Sequence, residues 1–432
     1  MNLKLKMKGI LSFLLASLLV LATACGTESN SGKSDSSKDV ALQDKGNEKI
    51  TVQNIEEAKQ IISPNNELGF KVFSGVEADE NGNTFISPTS LFMALSMVYN
   101  GADGVTKEEI AKVLGATGIT LEELNKANAS LISILQKDSD KIQLNIANSI
   151  WLERKFHFQE DFAQNNEAYF QAEIEGIDVL DDLSVVKINS WVENATQQKI
   201  KDVVEAPLDP DLVAMLINAI YFKGDWMHAF NEKQTENADF YLADGTTKNI
   251  PLMTLNKELA YMENDAFQVV KLPYGDGEMS MQVFLPKENS SLAEFRKILT
   301  AENWSEWNSE FNIKEGTVLL PRFQLEYEVL LKETLKGLGM ETAFRKGADF
   351  SKMIEETDPL WISKVLQKTF LEVNEIGTEA AAATVIEVVT ESAAVDVDPP
   401  FYMEVNRPFF ITIIDEETDA ILFMGAIENP AE

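Results

Sequence analysis

The sequence predicts an α+β fold, in which helices and strands are interleaved along the chain without a repeating unit. Hydrophobic side chains make up 45% of the 432 residues, which is enough to form a large core. Some segments place apolar residues at helical spacing, and others are short apolar runs that suit strands. From about Ile50 onward the composition is even. We therefore expect one large domain over residues 49–432.

Two clear elements lie in the middle of this domain. Apolar residues recur at near-helical spacing over Leu121–Leu135, which predicts a helix. Met279–Pro286 has the composition of a strand, and Gly275, Asp276 and Gly277 predict a turn before it.

Further elements follow towards the C-terminus. The apolar run 318–323 contains Pro321, which favours a strand with a bend or an edge position. Residues 333–340 are expected to form a short helix. Two more strands are predicted at 409–414 and 420–424, on either side of a polar turn. Helices and strands thus alternate, as they do in the α+β class.

The charge of the chain limits its partners. Asp and Glu number 70 against 37 Lys and Arg, which gives a net charge of −33. Nucleic acids and anionic membrane surfaces both repel a protein of this charge. We expect a monomer that binds no nucleic acid.

The first 24 residues have the features of an export signal. Three lysines precede an apolar run over residues 10–22, which is too short to span a bilayer comfortably. Small residues then precede Cys25, the one cysteine of the chain. This site resembles the lipobox of bacterial lipoproteins, although Leu21 lies one place further upstream than the usual aliphatic residue. We expect a signal peptide over 1–24 and lipidation of Cys25; ordinary cleavage near Ala24 is the alternative.

Residues 25–48 are expected to form a disordered linker that starts at the lipidated cysteine. The stretch is crowded with Ser, Asp, Lys, Gly and Asn, and it cannot bury enough apolar surface to offset the entropy of ordering. The expected location is the cell surface, with the lipid as the only membrane contact, or the extracellular medium if the protein is released.

Catalytic chemistry has little support in this sequence. The two histidines, His157 and His228, belong to no zinc-binding or nucleophile motif, and no phosphate-binding loop is present. We therefore expect no catalytic residue, no metal, no cofactor and no enzymatic activity.

The segment from Glu375 to Glu391 gives the most information about function. Local preferences conflict there, because a run of alanines favours helix and the residues after it are mostly β-branched. If the segment is a strand, alternate residues from Thr378 to Thr390 form an uncharged face, and the glutamates fall on the other face. Such a strand could slide between two existing strands. A resident half-buried strand or a helix is the alternative. The polar, proline-containing residues 392–400 after it are typical of an exposed loop.

This segment resembles the hinge of the serpin family. The matching positions are Glu375, Gly377, Thr378, Ala380, Ala381, Ala382, Ala383 and Thr384. Ile376 departs from the pattern, because the family usually has a charged residue there. Residues 83–102 are similar to the family's second helix, and residues 216–226 to its central strand and breach. Three short motifs also match, at 320–323, 338–340 and 423–425.

The resemblance implies a serpin fold with three β-sheets, eight or nine helices and an exposed reactive-centre loop over about 375–408. It also implies a breach that contains Trp226, and a shutter cluster. The shutter residues would be Ser87, Ser90, Asn218 and Gln367. Gln367 stands where many members have a histidine; it can still donate and accept hydrogen bonds, but it lacks the pH response of histidine.

The function implied is that of an inhibitory serpin of bacterial type, a suicide substrate for serine proteases, with cysteine proteases as the other target class. The protease forms an acyl-enzyme with the loop, and the freed strand then inserts into the main sheet. Counting from Glu375 places the cut bond between Glu391 and Ser392, which predicts a glutamate-preferring protease; cleavage at neighbouring residues would suit elastase-like or subtilisin-like enzymes. A non-inhibitory serpin that acts as a binding or chaperone-like lipoprotein, and a solute-binding lipoprotein, are the alternatives.

Overall fold

The computed structural model describes residues 54–136, 139–378 and 399–431. These residues form ten α-helices and fifteen strands, together with 3₁₀ turns at Glu232–Gln234 and Thr342–Phe344. The helices are α1 (Ile55–Lys59), α2 (Ile62–Gly75), α3 (Pro88–Gly101), α4 (Gly104–Val113), α5 (Leu121–Leu135), α6 (Glu160–Phe170), α7 (Leu183–Ala195), α8 (Leu292–Ile298), α9 (Ala301–Ser309) and α10 (Lys332–Gly337).

The strands alternate with these helices, so the predicted α+β class is confirmed. They are β1 (Thr84–Ile86), β2 (Ile142–Glu153), β3 (Glu173–Ile177), β4 (Ala214–Asp225), β5 (Glu236–Tyr241), β6 (Thr247–Glu263), β7 (Phe267–Tyr274), β8 (Met279–Pro286), β9 (Asn312–Pro321), β10 (Phe323–Leu330), β11 (Ile362–Val373), β12 (Gly377–Thr378), β13 (Phe401–Glu404), β14 (Phe409–Asp415) and β15 (Ile421–Ile427).

The helix and the strand predicted in the middle of the domain have the expected bounds. Helix α5 covers Leu121–Leu135, and Thr120 and Glu123 form a capping box that satisfies its first backbone N–H groups. Strand β8 covers Met279–Pro286, and Gly275 and Gly277 in the turn before it both have positive φ angles, 61° and 101°.

The predicted bend near Pro321 is a complete break between two strands. Strand β9 ends at Pro321 and β10 begins at Phe323, so Arg322 belongs to neither strand. The backbone N–H of Arg322 donates to the carbonyl of Pro251 at 3.0 Å, which fixes this corner. The C-terminal prediction of two strands around a turn is confirmed by the antiparallel pair β14 and β15.

Hydrogen bonding joins the described strands into two sheets. The six-stranded sheet has the order β10-β11-β12-β4-β2-β3. The nine-stranded sheet has the order β1-β15-β14-β8-β7-β6-β9-β13, with β5 paired to β6. Three sheets were expected; two of them are continuous here because the 17-residue β6 pairs with β5 and β9 along most of its length and with β7 at its end.

Apolar side chains cover both faces of the six-stranded sheet. The larger core contains the buried residues of α2 and α3 and of the nine-stranded sheet. A smaller cluster lies where α7 and the segment after it pack on the opposite face, and it includes Ile188, Ile200, Ile217, Leu366 and Phe370. Burial on both faces explains why β4 is almost continuously apolar. None of the helices described is long and apolar enough to cross a membrane.

Candidate functional site

The centre of the six-stranded sheet is a parallel pair of strands that separates at one end. Strands β4 and β11 pair directly from Ala214 and Ile362 to Ile220 and Thr369. We call this paired stretch the seam. Beyond it, the two residues of β12 lie between the strands and pair antiparallel with both: Thr378 faces Val373 of β11 and Gly224 of β4.

A tight turn connects β11 to β12 and is held by one asparagine. The side-chain oxygen of Asn374 accepts from the backbone N–H groups of Ile376 and Gly377, at 3.0 and 3.3 Å. The backbone N–H of Asn374 donates to the carbonyl of Gly377 at 3.0 Å. Asparagine favours such turns because its side chain mimics a backbone acceptor.

The glutamate at the tip of this turn is buried and paired. Glu375 is 4% exposed, and its carboxylate accepts from the Thr235 hydroxyl at 2.6 Å and from the guanidinium of Arg322. Its backbone carbonyl also accepts from the N–H of Phe230 at 2.7 Å. Burial acts to raise the pKa of Glu375, but the hydrogen bonds from Arg322 and Thr235 outweigh it and lower the pKa below its ordinary value. The charged form is therefore the one that fixes the turn.

Only glycine fits at position 377. A Cβ atom built there would lie 2.1 Å from the carbonyl oxygen of Gly224 and 2.7 Å from the Cα of Asp225. Both are backbone atoms of β4, so they cannot move aside as a flexible side chain would. This close approach gives a physical reason for the glycine in the sequence motif.

Thr378 lies at the entrance to the seam and is fully buried. Its hydroxyl and that of Tyr274 are 2.7 Å apart. Trp226 stacks on Tyr274 with ring centroids 4.3 Å apart, and its indole N–H donates to the carbonyl of Asn374 at 2.9 Å. Burial raises the pKa of Tyr274, so its hydroxyl remains protonated and can donate to Thr378. Gly377, Thr378 and Trp226, singled out from the sequence, are thus brought together.

The four residues assigned to the shutter also lie together, beneath the seam. The side-chain amide of Gln367 donates to Asn218 and to the carbonyl of Ser87, and its oxygen accepts from the N–H of Ser87 at 2.9 Å. The amide of Asn218 donates to Ser90 and to Asn148. Asn218 and Gln367 face each other in register across the seam. Their role as a shutter stays a prediction.

Several contacts of this region were missed from the sequence. Asn148 completes the buried polar cluster, because it faces Asn218 in the antiparallel pair β2–β4. Thr235, Tyr274 and Arg322 hold the turn and the entrance. The sequence contained a signal for two of these residues. Asn148 is an asparagine inside the apolar strand β2, and Arg322 is the arginine directly after Pro321. Nothing in the sequence singles out Thr235 or Tyr274.

The remaining predicted site residues lie outside the described residues. These are Cys25, Ala380, Ala381, Ala382, Ala383, Thr384, Glu391 and Ser392. Ile376, the departure from the hinge pattern, is half-buried in the turn.

His157, one of the two histidines, pairs with a glutamate outside this region. His157 lies on the surface, where its Nδ1 is 2.6 Å from Glu356, and the hydrogen bond with that carboxylate raises the pKa of His157. Within residues 54–136, 139–378 and 399–431, no group of three or more His, Cys, Asp or Glu side chains could hold a metal ion.

Comparison with known proteins identifies the family. The model of the family described as "Serpin (serine protease inhibitor)" matches residues 63–430. Chicken neuroserpin (Gallus gallus) is 34% identical over 377 residues, which cover 84% of this chain and 90% of the relative. Among solved structures, the native state of the thermophilic serpin tengpin is 32% identical with a TM-score of 0.79, covering 86% of this chain and 94% of tengpin.

A further structural relative is known with a small molecule bound. The complex of thyroxine-binding globulin with thyroxine is 25% identical to this chain, with a TM-score of 0.76 and coverage of 86% and 100% of the two chains. The sequence motifs, the strand order and these matches agree, and the chain belongs to the serpin family of serine protease inhibitors.

Proposed function

We propose that this protein inhibits serine proteases as a suicide substrate, by inserting the cleaved loop into the seam. The observation that carries the proposal is β12, which already occupies the gap between β4 and β11. A strand that continued from Thr378 in the same direction would run antiparallel to both neighbours. Cysteine proteases are the alternative target class.

The register of β12 gives the length of the inserted strand. Thr378 faces Gly224, and Ala214 at the far end of β4 is ten residues away. A continuing strand would cover this distance, about 33 Å, in ten residues. It would replace one parallel pairing by two antiparallel pairings, which are slightly more stable per residue. The uncharged alternate face of residues 378–390 suits such a buried position.

The first prediction concerns the adduct and the cut bond. When the protein is mixed with a panel of serine proteases, we expect a covalent complex that survives denaturing electrophoresis. Mass spectrometry of the released fragment should place the cut after Glu391 when the protease prefers glutamate. Loop cleavage should also raise the thermal unfolding midpoint strongly, because the inserted strand completes the sheet.

One outcome would contradict the inhibitory mechanism, and another would contradict only the target that we predict. Cleavage without a covalent adduct and without a rise in thermal stability would indicate a non-inhibitory binding protein, a possibility raised by the thyroxine complex of a relative of the same fold. Adducts with a cut after Val389, Thr390, Ala393 or Ala394 would keep the mechanism but replace the glutamate-preferring target by an elastase-like or subtilisin-like one.

We further propose that Cys25 carries the lipid that anchors the protein at the cell surface. The support is the apolar run of residues 10–22 followed by the lone cysteine. When the cells are grown with an alkyne-labelled fatty acid, the wild-type protein should carry the label and sediment with membranes. Cys25→Ser should carry no label. Equal membrane association of the two would contradict anchoring through this residue. Thr27→Ser, two positions away, is the matched control.

A further inference from the structure

One edge of the six-stranded sheet is open along half of an outer strand. Strand β3 pairs with β2 only from Ser149 to Glu153. The earlier half of β2, Ile142 to Asn148, pairs with β4 on its inner side. Among the described strands, none pairs with its outer side. We call residues 142–148 the open edge.

The path of the chain explains why this edge is not covered. Helix α6 ends at Phe170, and Gln171 after it has a left-handed conformation with φ 52°. The N–H of Ala172 turns back to the carbonyl of Asn166 at 3.3 Å. The chain therefore pairs with β2 only from Glu173 onward, which faces Ser149, the residue after the open edge.

A cavity lies along the open edge. Its volume is about 620 Å³, which is within the range of peptide and small-molecule sites. Its lining is rich in amides, namely Gln136, Gln143, Asn145, Gln171 and Asn194. The charged members, Asp140, Lys141 and Lys223, belong to one end, because Lys223 faces Gln143 near the start of β2.

The side chains of the open edge differ from those on the other outer strands of this sheet. Strand β3 carries Glu173 and Glu175, and β10 carries Glu326 and Glu328. Such charges protect exposed edges from pairing with another chain. The open edge has the sequence Ile-Gln-Leu-Asn-Ile-Ala-Asn, with no charge and no proline. It is the kind of edge to which a further strand adds readily.

We propose that the open edge binds an extended, uncharged segment of a partner protein, which adds as a strand beside β2 and in line with β3. The occupant is a polypeptide because the site offers backbone hydrogen-bonding groups together with amides, which match peptide groups in having both donors and acceptors. Seven residues of β2 accommodate a strand of about 23 Å. This site lies on the outer side of β2, one strand away from the seam, although Asn148 at its end also belongs to the buried polar cluster. The proposal does not depend on protease inhibition.

Hydrogen–deuterium exchange of the full chain tests the proposal. The probe is the peptide acetyl-Thr-Val-Ser-Val-Thr-Ser-Thr-amide, with a second peptide that has proline in place of each valine. The first peptide should slow exchange of the amides in residues 142–148 in a saturable manner. The proline peptide should not, because it lacks N–H groups at two positions and resists pairing.

Protein variants separate binding at the edge from binding elsewhere. Asn194 is exposed at the end of α7 and lines the cavity, so Asn194→Trp places a large side chain there. This variant should weaken peptide binding about tenfold or more, because the tryptophan blocks strand addition. Val186→Trp is exposed on the same helix and away from the cavity, and it should bind like the wild type.

Four results with added peptide would overturn the proposal. They are the absence of protection at millimolar peptide, equal protection by the proline peptide, equal binding by Asn194→Trp, and protection confined to the seam. The last result would mean that the peptide inserts between β4 and β11, and it would leave the proposed inhibitory function intact. Protection of residues 142–148 by self-association without added peptide would also contradict it, since the partner would then be a second copy.

Discussion

Thr378→Arg is expected to abolish the covalent protease adduct while leaving the loop cleavable. Thr378 is fully buried at the entrance to the seam, and its hydroxyl is 2.7 Å from that of Tyr274. An arginine there would have to leave the sheet or bring an unpaired charge into a buried position, which costs several kcal/mol. Because Thr378 already lies between β4 and β11 in the uncleaved protein, the arginine would expel β12 from this gap, and burying the arginine would become the first step of insertion. Insertion competes with hydrolysis of the acyl-enzyme, so this slower first step releases the protease.

The size of the effect follows from this competition. A penalty of about 3 kcal/mol at the entrance would slow insertion more than about 100-fold. The adduct should therefore fall from the main product to a trace, measured by denaturing electrophoresis at equal protease and inhibitor concentrations. The variant should still be cut by the protease, and its cleaved form should lack the rise in thermal stability.

Two variants control for other causes. Thr378→Ser keeps the hydroxyl and a small side chain, and it should form the adduct at nearly the wild-type yield. Thr247→Arg adds the same charge at an exposed position of β6 and should behave like the wild type. If Thr378→Arg forms the adduct at wild-type yield, the entrance through β12 is not the route of insertion.

The second large effect is expected for Asn218→Ala, in the buried polar cluster beneath the seam. Asn218 is 1% exposed, and its side chain bonds to Ser90, Asn148 and Gln367. Its removal leaves buried polar atoms without partners, each at a cost of about 1–3 kcal/mol. We expect a loss of about 3 kcal/mol in stability of the uncleaved form, which corresponds to a midpoint lower by roughly 4 °C for a domain of this length.

The cleaved form should be affected less by Asn218→Ala. Asn218 and Gln367 face each other directly across the seam, so a strand inserted between them would separate the pair. Scanning calorimetry of both forms at one scan rate measures the difference. Asn249→Ala, an exposed asparagine on β6, is the matched control and should leave the midpoint unchanged. Equal losses in both forms would show that the contact between Asn218 and Gln367 does not hold the seam closed.

The sequence predicts the helices and strands of this fold better than the pairing of the strands into sheets. Local signals place α5 and β8 at their observed bounds, because apolar spacing and turn residues act over short distances. Whether β6 joins two groups of strands depends on pairings with residues far along the chain, and no local pattern contains that information.

The candidate site also contains residues that a local motif predicts and residues that only the folded structure reveals. Gly377 and Thr378 belong to a recognisable motif, and the structure adds the backbone clash and the hydroxyl contact that explain them. Tyr274 and Thr235 come from distant segments, and each is one ordinary polar residue in its own stretch of sequence. Their importance arises only when folding brings them to the turn at Glu375.

The fixed position of Thr378 determines which face of an inserted strand each later residue would occupy. Its hydroxyl points to Tyr274 and its backbone is registered against Gly224 and Val373. Because side chains alternate between faces, the parity of each later residue, counted from Thr378, decides which face it would take in an inserted strand. The even positions are uncharged and the glutamates 379, 387 and 391 are odd. Selection on this segment must therefore act against a deletion of one residue more strongly than against most substitutions, since a shift by one would turn the glutamates after it to the face of Tyr274, where the larger of the two cores lies.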